Sequence, residues 1–72
     1  MYERDFATGV KRIIETQGFK QKAIAEKSKI APEAFSKALN GKRRLFADEA
    51  YAISKALNMS IEEIVELGKN IA

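Results

Sequence analysis

Apolar residues in this chain recur at helical spacing in short runs, and no run is long enough to fold by itself. Phe6, Val10, Ile13 and Ile14 fall at i, i+4, i+7 and i+8, one face of a first helix closed by Gly18. Gly9 inside it costs about 1 kcal/mol relative to alanine unless a neighbour packs closely there. A second helix is expected from about Gln21 to Lys27, with Ile24 and the small Ala23 and Ala25 facing inward. Isolated helices need roughly 12–15 residues, so only tertiary packing can hold this one. Pro32 reads as the first residue of a third helix, where its missing N–H is harmless. Phe35, Ala38 and Leu39 form the apolar stripe of that helix, and Gly41 ends it. After the basic loop Lys42–Arg44, Leu45 and Phe46 are expected to return to the core. A fourth helix runs from about Asp48 to Leu57 and buries Ile53, Ala56 and Leu57. Ser60 with Glu63 three residues on is a capping box for a fifth, which turns Ile61, Ile64 and Val65 inward. The expected fold class is all-α, five short helices around one core.

Size and residue usage then exclude whole classes of function. Seventy-two residues make one small domain, 1–72, whose core supplies only about 3–5 kcal/mol without staples. Cysteine and histidine are both absent. That removes disulfides, structural zinc of the usual kinds, cysteine nucleophiles and any Ser-His-Asp triad. No nucleophile–base pair is offered, so an enzyme is not expected, and neither a cofactor nor a small-molecule ligand is evident. Asp48, Glu49, Glu62, Glu63 and Glu66 are spaced as caps and surface residues, so no metal site is expected. No apolar run approaches the roughly 18–20 residues of a membrane span. The expected home is a reducing cytoplasm.

The charge is unevenly placed. From Phe19 to Arg44 eight cations stand against Glu26 and Glu33, a balance of +6, while the other 46 residues carry −3. The middle third is built to meet a polyanion. The four-residue gap between the second helix and Pro32 is the turn length of a helix-turn-helix, here about residues 20–40, whose second helix enters the DNA major groove. Opposite its apolar stripe that helix presents Glu33, Ser36, Lys37 and Asn40, all able to hydrogen-bond.

Several segments carry a family likeness. Gln21-Lys22-Ala23-Ile24-Ala25, the turn to Ile30, Phe35-Ser36-Lys37, Leu39-Asn40-Gly41-Lys42 and Ala56-Leu57-Asn58-Met59-Ser60-Ile61 resemble the Cro/lambda-repressor-type helix-turn-helix family. The resemblance covers roughly residues 6 to 67. It implies a compact lambda-repressor-like domain that binds double-stranded DNA. Carried over by position, Pro32, Glu33, Ser36 and Lys37 would face the bases, and Ala25 would sit where the two helices cross. Lys20, Gln21, Asn40, Lys42, Arg43 and Arg44 would lie against phosphates. Glu33 keeps two readings, accepting from cytosine N4 or complementing its helix N-terminus.

The chain departs from the family at three places. Lys29 stands where a turn glycine is usual and must adopt a positive φ or alter the turn. Lys20 and Ala31 replace the usual Ser or Thr caps, removing two capping bonds. Pro32 removes one N–H that could have reached a phosphate. The resulting expectation is a sequence-specific transcriptional regulator, a phage- or mobile-element-like repressor reading two half-sites as a weak homodimer. The alternative is a helix-turn-helix interaction module, such as an antitoxin or adaptor. Leu67 and Ile71 fall off the inward face of the fifth helix and are the expected dimer contact.

Overall fold

The computed structural model describes residues 2–69. Those residues form five helices: α1 (Tyr2–Gln17), α2 (Gln21–Lys27), α3 (Pro32–Leu39), α4 (Ala47–Leu57) and α5 (Ile61–Lys69). The all-α architecture read from the spacing is the one observed. Helix α1 packs along α5 and against α3, α2 packs on both α3 and α4, and α4 closes onto α5. Val10, Phe35, Ile53 and Ile64 are the largest side chains fully withdrawn from solvent. Phe6, Ile13, Ile24, Ile30, Leu39, Leu57 and Val65 complete the cluster. Every helix contributes to it, which is how helices of seven to sixteen residues are held in place.

The first four helices stop in the same way. A left-handed residue follows each one, at Gly18, Lys29, Gly41 and Asn58. The N–H of the next residue then reaches back five positions: Phe19 to the Ile14 carbonyl, Ile30 to Ala25, Lys42 to Lys37 and Met59 to Ser54. These bonds satisfy carbonyls that the helix end would otherwise orphan. Lys29 therefore accepts the positive φ, at 59°, and leaves the turn unaltered. The expected box at the start of α5 is present, with Glu63 N–H donating to Ser60 Oγ and Ser60 N–H to Glu63 Oε1. No side chain caps α2 or α3, as Lys20 and Ala31 imply.

Gly9 has the close neighbour that offsets its propensity cost. A methyl group there would sit on the Ile64 carbonyl oxygen, and one at Gly68 would sit on the Asp5 carbonyl oxygen. The two glycines bring the α1 and α5 backbones into direct contact.

Four expected orientations are corrected. Ala23 is exposed, because Ile24 and Ala25 already fill the inward side of a helix only seven residues long. Phe46 is 57% exposed, since it serves as the N-cap of α4 and its ring lies outside that helix. Ile61 is 37% exposed, because Ile64 and Val65 at the centre of α5 take the core positions and the first residue projects past their edge. Leu67 instead packs, half-buried, against the core. It lies three residues after Ile64, on the same side of the helix. Ile71, the other expected pairing residue, lies outside the described residues.

Candidate nucleic-acid interface

Helix α3 has two faces of opposite character. Phe35, Ala38 and Leu39 are buried, while Pro32, Glu33, Lys37 and Asn40 are exposed and Ser36 is half-exposed. The packing that buries one stripe against α2 and α1 thereby turns every expected base-facing residue outward. Pro32 opens the helix, and Ala31 before it is extended at ψ 136° with no side-chain cap. Glu33 forms no ion pair with any described residue. Both of its readings stay open.

At the far end of α3 the chain is fixed by its own backbone. Gly41 N–H donates to the Ala38 carbonyl at 3.2 Å and Lys42 N–H to Lys37 at 2.8 Å. Asn40 Nδ2 donates to the Ser36 carbonyl at 3.0 Å, which ties the exposed side chain back to its own helix with one amide hydrogen still unused. Lys20 and Gln21, at the start of α2, are exposed as well. The structure thus presents the expected base-facing and phosphate-facing residues at the surface, all but one of them without an ion-pair partner among the described residues.

That exception is Arg43. Its guanidinium grips Glu49 in a fork, Nη1 to Oε1 at 2.9 Å and Nη2 to Oε2 at 2.8 Å. Nη1 also donates to the Arg44 carbonyl at 3.0 Å, and the group lies 5.7 Å from the centre of the Phe46 ring. Glu49 in turn accepts the Phe46 N–H at 3.1 Å, binding the loop to the first turn of α4. The fork holds the Glu49 carboxyl below its ordinary range, helped by the Phe46 N–H and opposed by partial burial. The same pairing raises the Arg43 guanidinium above its own. Planar bidentate pairing of this kind fixes geometry as well as charge. Lys42 and Arg44, its neighbours, are exposed and have no acidic partner among the described residues.

Two residues that fix this loop were missed from sequence. Glu49 reads as a first-turn residue of α4, which its bond from the Phe46 N–H bears out, but its pairing with Arg43 six residues away matches no helical pairing rule. Glu3 accepts the Leu45 N–H at 2.7 Å across 42 positions of chain, a bond with no local signal at all. Together they pin the basic loop from both sides.

Among known families, the Helix-turn-helix model HTH_3 matches residues 10–64. The chain belongs to the Cro/lambda-repressor-type helix-turn-helix family. Comparison with curated proteins and with solved structures gives no match. The matched span contains α2, the turn, α3, the basic loop and α4, so membership covers the whole surface described above. A helix-turn-helix of this family is a DNA-binding module and not an enzymatic one. Among the described residues, no helix is long and apolar enough to cross a membrane.

Proposed function

We propose that this helix-turn-helix domain is a sequence-specific transcriptional regulator, acting as a repressor that reads a two-half-site operator as a dimer. The observation that carries the reading is the outward face of α3, where polar side chains stand opposite a fully buried stripe and unpaired cations flank them. In the major groove Ser36 and Lys37 meet base edges, with Glu33 and Pro32 at the entering end. Lys20, Gln21, Asn40, Lys42 and Arg44 meet phosphates, which set register and carry no sequence information themselves. Arg43 acts differently from the other loop cations. Its charge is already matched by Glu49, so its part is to position Lys42 and Arg44.

One recognition helix reads too few base pairs for useful specificity. A two-fold dimer supplies a second helix about 34 Å away, one DNA turn along. Among the apolar residues of α5, Ile61 is exposed and shares a groove with Phe46, while Leu67 is partly covered by the core. The two-fold contact therefore centres on Ile61 and Phe46.

Selection of bound duplexes from a random pool tests this directly, followed by a salt titration on the recovered site. The expected outcome is a symmetric site with half-sites one turn apart, and an affinity that falls steeply with salt. No enriched duplex together with a flat salt response overturns it, and favours the interaction-module reading that the exposed Phe46–Ile61 groove also suits.

A further inference from the structure

Away from the recognition helix, a second cationic surface joins the same loop. Arg4, Thr8 and Lys11 lie at i, i+4 and i+7 on one stripe of α1 and form a wall of an open groove of about 850 Å³. The opposite wall carries Asn40, Lys42 and Arg44. Arg4, Lys11, Lys42 and Arg44 are exposed, and none has an acidic partner among the described residues. The one carboxylate lining the groove, Glu3, is occupied by the Leu45 N–H. Arg43, also at the rim, is matched by Glu49. Against the single negative charge that Glu3 keeps while accepting the Leu45 N–H, four cations gather around one depression, a net positive field that attracts an anion with several charges.

Resting on the DNA-binding reading, we propose that this groove carries the DNA backbone beyond the half-site, with Arg4 and Lys11 contacting phosphates outside the reach of α3. Continuity argues for a strand of the same duplex. Asn40 caps the recognition helix, Lys42 and Arg44 follow it in the basic loop, and all three form the groove wall, so a backbone leaving α3 runs directly toward α1. Length argues the same way. Arg4 and Lys11 are separated by about 10 Å along the helix. That matches about three nucleotides of one strand where α1 lies along the duplex, at about 3.4 Å of duplex axis each. Thr8 Oγ1 donates to the Arg4 carbonyl at 2.9 Å, so its hydroxyl proton is held inward and the cations carry the contact.

The test uses the full chain and the double variant Arg4→Gln/Lys11→Gln, which keeps helix propensity nearly constant. Affinity for a mixed-sequence duplex is measured against salt, and again on a duplex trimmed to the half-site, with Arg44→Gln as the comparison. On the long duplex the double variant is expected to lose about two from the salt slope, so that about tenfold less affinity is lost over a fourfold rise in salt. On the trimmed duplex parent and variant should coincide, and base preference should not change. An unchanged slope on the long duplex, with Arg44→Gln still lowering it, overturns this contact and leaves the DNA-binding reading standing. A parent chain that binds neither duplex overturns both.

Discussion

At the scale of single residues, the exposed side of α3 separates specificity from affinity. Ser36 and Lys37 project opposite Phe35, Ala38 and Leu39 and carry no structural duty that alanine would disturb. Lys37→Ala and Ser36→Ala are expected to relax preference at particular base pairs, each contact being worth about 1–3 kcal/mol, with thermal stability unchanged. Competition between operator variants reads this out, and an unaltered preference in both would sink the recognition-helix assignment. Lys29 makes the opposite case, a residue whose backbone matters more than its side chain. Its left-handed φ of 59° costs about 1–2 kcal/mol for a residue with a Cβ. Glycine removes that cost but loses about 0.5–1 kcal/mol through the entropy of the unfolded chain. Lys29→Gly should therefore be more stable by about 0.5–1 kcal/mol, or a rise in Tm of about 4–8 °C per kcal/mol for a domain this small. A lower melting temperature would show that the lysine side chain contributes a contact which outweighs the strain.

Between helices, what the sequence discloses depends on how locally each feature is encoded. The five helices, the left-handed stops at Gly18 and Gly41 and the Ser60–Glu63 box were legible because spacing, glycine and a three-residue offset encode them. The two glycines of the α1–α5 crossing were not, since nothing in a one-dimensional pattern says that residues 9 and 68 meet. Gly9→Ala isolates that crossing. Alanine gains about 1 kcal/mol in helix propensity, yet its methyl would overlap the Ile64 carbonyl oxygen, and overpacking of this kind costs about 1–3 kcal/mol. A net loss of stability in chemical denaturation is expected, and a stabilised variant would mean the helices do not touch at this point. The outward face of α3 was legible for the same local reason as the helices. The spending of Arg43 on Glu49 was not, because charge counting cannot say which cation in Lys42–Arg44 is already paired. Glu49 titrates below its ordinary range in the folded chain, so the fork stabilises fully above the unfolded carboxylate value of about 4.3. That contribution disappears as pH falls through the lower folded value. Glu49→Gln should be less stable than the parent near neutrality, and the two melting temperatures should converge on acidification. A gap that stays constant with pH would assign the difference to packing.

Considered as a whole molecule, the chain divides its surface between a cationic side and an apolar edge. The +6 balance between Phe19 and Arg44 lies on α2, the turn, α3 and the basic loop, and α1 adds Arg4 and Lys11 to it. Elsewhere Phe46 and Ile61 border one groove, with Glu62 and Glu66 on its rim. An exposed apolar surface beside a DNA-binding face is what a two-fold pairing needs, because the contact must not compete with the groove for α3. The patch is small, so the free dimer should be weak and the operator should complete it by holding both halves together. Ile61→Asp tests the arrangement with little risk to the fold. The position is 37% exposed and is the first residue of α5, where an acidic side chain suits the helix dipole. Leu67→Asp offers no such test, since Leu67 packs on the core and its loss would destabilise the domain itself. For Ile61→Asp, half-site affinity should match the parent and melting temperature should fall only modestly, while cooperative occupancy of a two-half-site duplex disappears. Sedimentation with DNA present should show one chain bound in place of two. Cooperative filling of both half-sites by Ile61→Asp would place the two-fold contact elsewhere on the molecule.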